Sequence, residues 1–187
     1  MLTGTWKLSG KPFWPSRGLE DDPRQDGAEM RSKEGLSGIG DGLGDVSQKG
    51  EDWSPNIVAF CCNWCAYAGA DLAGVNRRQF SPEFRVVRVM CSGRIAPGMM
   101  LKTFAEGADG VMVLGCHLGD CHYRTGNHEA QKRVEMVWKL MSLAGIDESR
   151  LLLQWISAVE GELFATTTEG FVAHIRSLGP LRGCPDG

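Results

Sequence analysis

Four short apolar runs set the terms of any fold this chain can adopt: IVAFC (57–61), FRVVRVM (84–90), GVMVLG (110–115) and RLLLQWIS (150–157). Each has the length and β-rich composition of a buried strand. Between them lie segments of helical character. NWCAYAGADLAGV (63–75) has the small and apolar residues of a tightly packed helix. APGMMLKTFAEG (96–107) reads as a helix stopped at Gly107. HEAQKRVEMVWKLMSLAG (128–145) places Val134, Val137, Trp138 and Met141 on one face and ends at Gly145. Ser157 and Glu160 form an S-x-x-E pattern that opens a last helix running to about Leu178, with Leu163, Phe164, Phe171 and Ile175 inward. The order β-α-β-α-β-α-β-α predicts an α/β fold: a small open, mostly parallel sheet flanked by helices. Its crossovers are right-handed.

This reading places the cysteines. Ligands of open α/β sheets sit beyond the carboxyl ends of the strands. Cys61 and Cys62 close the first strand and Cys65 opens its helix. Cys91 follows the second strand, Cys116 follows the third, and Cys121 comes five residues later. Six of the seven cysteines thus fall between residues 61 and 121, aimed at one edge of the sheet. Side chains alternate along a strand, so Cys61 and Cys62 point to opposite faces and one of them meets the core. The seventh, Cys184, lies in a GCPDG tail and has no assigned role.

Three chemistries suit such a set. A zinc site takes four ligands, commonly in two pairs. An iron–sulfur cluster takes four thiolates at more irregular spacing. A metal-free redox pair would use the C-x-x-C of Cys62 and Cys65 at a helix N-terminus, where a thiol pKa falls. The last leaves Cys91, Cys116 and Cys121 idle, so a cluster uses more of what is present. Gly93, Gly115 and Gly119 allow close backbone approach, and His117, His122 and Arg94 are candidate donors around the ligands. His128 and His174 read as surface residues of helices.

Composition bounds the rest. The chain has 187 residues, 42% of them hydrophobic, enough for one domain with a core. An odd cysteine count and no apolar leader argue against a secreted disulfide framework, so a cytoplasmic protein is expected. No apolar run is long enough to span a membrane. Residues 1–55 hold 7 Lys+Arg, 10 Asp+Glu and ten of the 25 glycines. They read as a flexible N-terminal arm, in which Trp6, Phe13, Trp14 and Trp53 are the apolar exceptions. Residues 56–180 form the α/β domain and 181–187 a tail. With 13 positive and 13 negative side chains, residues 56–187 show no basic stripe for nucleic acid.

FCCNWCAYAGADLAGV, RVMCSGRIAPGMMLKTFAEGADGVMVLGCHLGDCHYRTGNHEAQKRV and WISAVEG together resemble the delta subunit of methyl-viologen-reducing hydrogenase, from about residue 56 to 180. Residues 1–55 match nothing in that pattern. The resemblance implies a single 2Fe–2S cluster held by cysteines drawn from Cys61, Cys62, Cys65, Cys91, Cys116 and Cys121. Cys62, Cys65, Cys116 and Cys121 are favoured as two pairs, with Cys91 the close rival. It implies a relay in methanogenesis, from the small subunit of a hydrogenase, or a formate dehydrogenase, to the flavin-containing subunit of heterodisulfide reductase. The chain would be inert alone and act within an oxidoreductase complex. A thiol–disulfide protein using Cys62 and Cys65, or a structural zinc module, are the alternatives.

Overall fold

The computed structural model describes residues 53–181. The arm expected over residues 1–55 and the tail at 181–187 fall almost wholly outside the described residues, as does Cys184. Four strands form one parallel sheet: β1 (Ile57–Cys62), β2 (Phe84–Val89), β3 (Gly110–Gly115) and β4 (Leu151–Trp155), in the order β2-β1-β3-β4. Four helices follow the strands in turn: α1 (Ala66–Val75), α2 (Pro97–Ala105), α3 (Gly126–Leu143) and α4 (Gly161–Leu178). The expected α/β architecture is the observed one.

Burial explains which run became which strand. All six residues of β3 are buried and it lies inside the sheet, whereas β2, with Arg85, Val86, Val87 and Arg88 exposed, is an edge. α2 packs with α3, and α1 packs with α4. That pairing follows from the strand order: the crossover to β2 turns one way, and those to β3 and β4 turn the other. The α2–α3 layer covers a core of Phe60, Ile95, Met100, Phe104, Val111, Val113, Val134, Val137 and Met141. On the other face Phe80, Phe84 and Phe164 meet edge-on or tilted, with centroids 5.7–6.2 Å apart.

The amino-terminal edge of the sheet is closed by polar contacts. Buried Asp109 accepts from the backbone N–H groups of Asn56 (2.9 Å) and Leu181 (2.8 Å). Buried Arg150 donates to the carbonyls of Asp109 (3.0 Å) and Gly179 (3.0 Å). The predicted S-x-x-E box is half formed: the Ser157 N–H donates to Glu160 Oε2 at 2.7 Å, and α4 starts after Glu160. His174 departs from its expected surface role; it is half-buried against Ser149 Oγ at 2.9 Å, and burial lowers its pKa. Among the described residues no helix is long and apolar enough to cross a membrane.

Candidate metal centre

The sheet has its topological switch between β1 and β3, because the chain leaves β1 towards β2 on one side and returns to β3 on the other. A crevice at the carboxyl ends of such strands is where open α/β sheets bind ligands. Cys62 ends β1 and Cys116 follows β3, so they flank this crevice. Their sulfurs are 3.5 Å apart. Cys91, after β2, and Cys121, in the loop after β3, make a second pair at 3.7 Å. Cys65 is the residue before α1, and its thiol interacts with those of Cys116, Cys62 and Cys121. Cys62, Cys91, Cys116 and Cys121 are buried; Cys65 is partly exposed.

Five of the six candidate ligands are therefore brought together, while Cys61 is not. Cys61 pairs in register with Leu114, on the face packed by α4, and is fully buried. Burial pushes its thiol up to about 12, so it stays neutral and serves as core. The C-x-x-C and C-x4-C spacings suggest pairing within each loop. Sulfur contacts instead run between loops, Cys62 to Cys116 and Cys91 to Cys121.

Local structure favours the anion at one thiol of the site, Cys62. Cys62 is lowered to about 6, first by the thiol of Cys116 and then by the backbone N–H groups of Trp64, Cys65 and Ser92, against the opposing effect of burial. Cys116 moves up, chiefly because it hydrogen-bonds the Cys62 thiolate. The two behave as one pair sharing a proton. Burial raises Cys91, partly offset by the Gly93 N–H. Burial also raises Cys65.

The distances suit metal ligation. Two thiolates on one tetrahedral metal, at about 2.3 Å each, stand about 3.8 Å apart. Each sulfur pair is close to that bite. Clustered Cys thiols of this kind are the donors that hold an iron–sulfur group.

Sequence reasoning missed several residues that shape the site. Gly126 leaves room for the sulfurs: a Cβ there would overlap Cys91 Sγ and lie 3.2 Å from Cys121 Sγ. It abuts Gly93, one of the glycines expected to allow close approach, whose Cβ position would be 2.7 Å from the Gly126 carbonyl oxygen. Asn127, fully buried, donates to the carbonyls of Cys116 (3.3 Å) and His117 (2.6 Å). The one signal for them is a Gly-Asn pair at a helix start, five residues after Cys121. Of the proposed outer donors, His117 Nε2 meets Glu160 Oε2 at 2.7 Å and His122 stacks on Trp64 with ring centroids 3.9 Å apart. Arg94 is exposed and lines a cleft of about 310 Å³ with Met90, Cys91, Tyr123 and Glu129.

Comparison with known proteins gives these cysteines a context. The chain is 52% identical over 130 residues to an iron-sulfur subunit of the F420-non-reducing hydrogenase vhc of Methanococcus voltae, spanning 70% of this chain and 90% of that one. It is 49% identical over 132 residues to an iron-sulfur subunit of the F420-non-reducing hydrogenase of Archaeoglobus profundus, spanning 71% and 96%. It is also 46% identical over 127 residues to one subunit of the Ferredoxin/F(420)H(2)-dependent CoB-CoM heterodisulfide reductase of Methanosarcina acetivorans, spanning 68% of this chain but 16% of that one. Residues 57–179, which hold the whole sheet and all five clustered thiols, match the family described as methyl-viologen-reducing hydrogenase, delta subunit, and the chain belongs to that family.

Proposed function

We propose that this chain is a cytoplasmic electron-transfer subunit. It would hold one 2Fe–2S cluster and pass electrons from a hydrogenase small subunit, or a formate dehydrogenase, to the flavin-containing subunit of a heterodisulfide reductase complex. The observation that supports it best is the meeting of five thiols from three strand ends, four of them as two pairs at metal-bite distance with Cys65 beside them. The names of the relatives support the rest: two are iron-sulfur subunits of hydrogenases, and a third carries a region like this chain inside a component of heterodisulfide reductase.

The ligands come from Cys62, Cys65, Cys91, Cys116 and Cys121. Such a cluster, when bound, supplies a one-electron acceptor and donor. The protein's own residues do the remainder. Cys62 and its backbone donors favour thiolate at neutral pH, as a metal ligand requires. The strand ends hold the thiols at an edge, within reach of two neighbouring subunits. No acid, base or nucleophile is needed.

The test is iron and acid-labile sulfide analysis of anaerobically purified protein, with EPR after dithionite reduction. About two irons and two sulfides per chain are expected for a Cys-ligated 2Fe–2S centre. Cys62→Ser and Cys116→Ser should abolish electron transfer between the partner enzymes and leave each partner's own activity intact. A protein without iron after reconstitution would refute the proposal.

A further inference from the structure

We infer that Asn127 and Arg133 are positioning residues for the thiol site, which they hold from a single helix, α3. The inference rests on the cluster reading above. Each sulfur pair has one member on a loop clasped to this helix. Cys116 belongs to the first pair, and its carbonyl and that of His117 accept both contacts from Asn127 Nδ2. Cys91 belongs to the second pair, and the turn that follows it is held by Arg133, whose Nη1 donates to the carbonyls of Gly93 and Ile95. Both residues act on the backbone that carries a sulfur rather than on the sulfur itself.

The residue types are specific to this task. Asn127 Oδ1 accepts from the His128 N–H at 2.9 Å and so serves the first turn of α3. Asp or Ser would also serve a helix start. Neither has the amide NH₂ that reaches two loop carbonyls. Arg133 supplies a planar, always charged donor that spans two carbonyls across one turn. Between them and the sulfurs, Gly126 leaves the space the thiols occupy and abuts Gly93. The first two turns of α3 thus meet three of the thiol-bearing segments, those of Cys91, Cys116 and Cys121. The spacing between the two pairs is set by a rigid helix rather than by the loops.

The test uses the full chain, purified anaerobically with its iron. Asn127→Leu and Arg133→Leu should release iron to a ferrous chelator about tenfold faster or more, the range expected when a group supporting metal ligands is lost. The EPR g-values of the reduced protein should shift in both. Arg133→Lys keeps the charge and a donor but not the guanidinium plane, and should lie between Arg133→Leu and wild type. Arg150→Leu is the control, since it removes buried contacts to the carbonyls of Asp109 and Gly179 at the opposite edge of the sheet. It should lower Tm without changing iron release or the EPR signal. Wild-type release and g-values in both leucine variants would overturn the inference, and so would an equal acceleration in Arg150→Leu. If Asn127→Leu does not fold, the Arg133 pair of variants decides. Wild-type protein that holds no iron would instead refute the cluster reading itself.

Discussion

A methyl group at position 126 would overlap the Cys91 sulfur and crowd that of Cys121 at 3.2 Å. Elsewhere in a helix, Gly→Ala stabilises by roughly 0.5–1 kcal/mol. Here the clash is with two thiols at once, and the nearest backbone, Gly93, has no slack because it already touches Gly126. Gly126→Ala should therefore lower the iron bound per chain and displace the Cys91–Cys121 pair, a change read by metal analysis and EPR. Full iron occupancy in that variant would show that the sulfurs have room to move. The other pair makes a prediction about pH. In metal-free protein the Cys116 thiol and nearby backbone N–H groups hold the first ionisation of the Cys62–Cys116 pair at about 6, below the ordinary thiol value of 9.0. A depressed pKa contributes stability above the unfolded value and loses it as pH falls through the folded one. The Tm of the metal-free protein should thus fall as pH is lowered from 9 to 6. Thiolate absorption should show a midpoint near 6 that disappears in Cys62→Ser. Cys61 has the opposite sign: held up at about 12, it costs stability only as pH rises above the ordinary value of 9.0.

At the level of elements, strands and helices were legible because each run meets one environment along its length. GVMVLG is buried at every residue and coincides with β3; Val134, Val137 and Met141 face the core as the helical period requires. Gly107 and Gly145, with φ of 94° and 72°, end helices where the sequence signals a stop. The start of α3 was not legible. Gly126 and Asn127 are weak helix formers, and they are helical because the first turn is tied to the Cys116 loop and the Cys91 turn. Sulfur pairing was hidden for a related reason. Spacing reports neighbours in sequence, whereas Cys62 and Cys116 meet only because β1 and β3 lie side by side. Strand order itself comes from packing, which four similar apolar runs do not encode. The amino-terminal edge of the sheet offers a test of how separate it is from the site. Asp109→Ala leaves the N–H groups of Asn56 and Leu181 without their acceptor. The expected cost is about 2 kcal/mol, read from the urea midpoint. Iron content and EPR should not change, and a loss of iron would mean that the two ends of the sheet are coupled.

On the scale of the whole molecule, one unit recurs in two settings. The 130 residues shared with the Methanococcus voltae protein are 90% of its length, and the 127 shared with the Methanosarcina acetivorans chain are 16% of it. A unit that is nearly the whole of one protein and a small part of another must bury its own core. The described residues do so, with both faces of the sheet covered and the amino-terminal edge closed by Asp109 and Arg150. A fragment of residues 53–187 should therefore fold with the same Tm, bind the same iron per chain and give the same EPR signal as the full chain. Solubility should differ. Residues 1–52 carry 7 Lys+Arg and 10 Asp+Glu, which is the whole net charge of −3; the remaining 13 of each sign leave the fragment neutral. Net charge near zero promotes association, so the fragment should precipitate at lower concentration, and most readily near neutral pH. Measuring Tm and iron on the soluble fraction separates the two effects. A fragment that stays in solution but melts early or lacks iron would show that the first 52 residues take part in the fold, and would count against a self-sufficient unit.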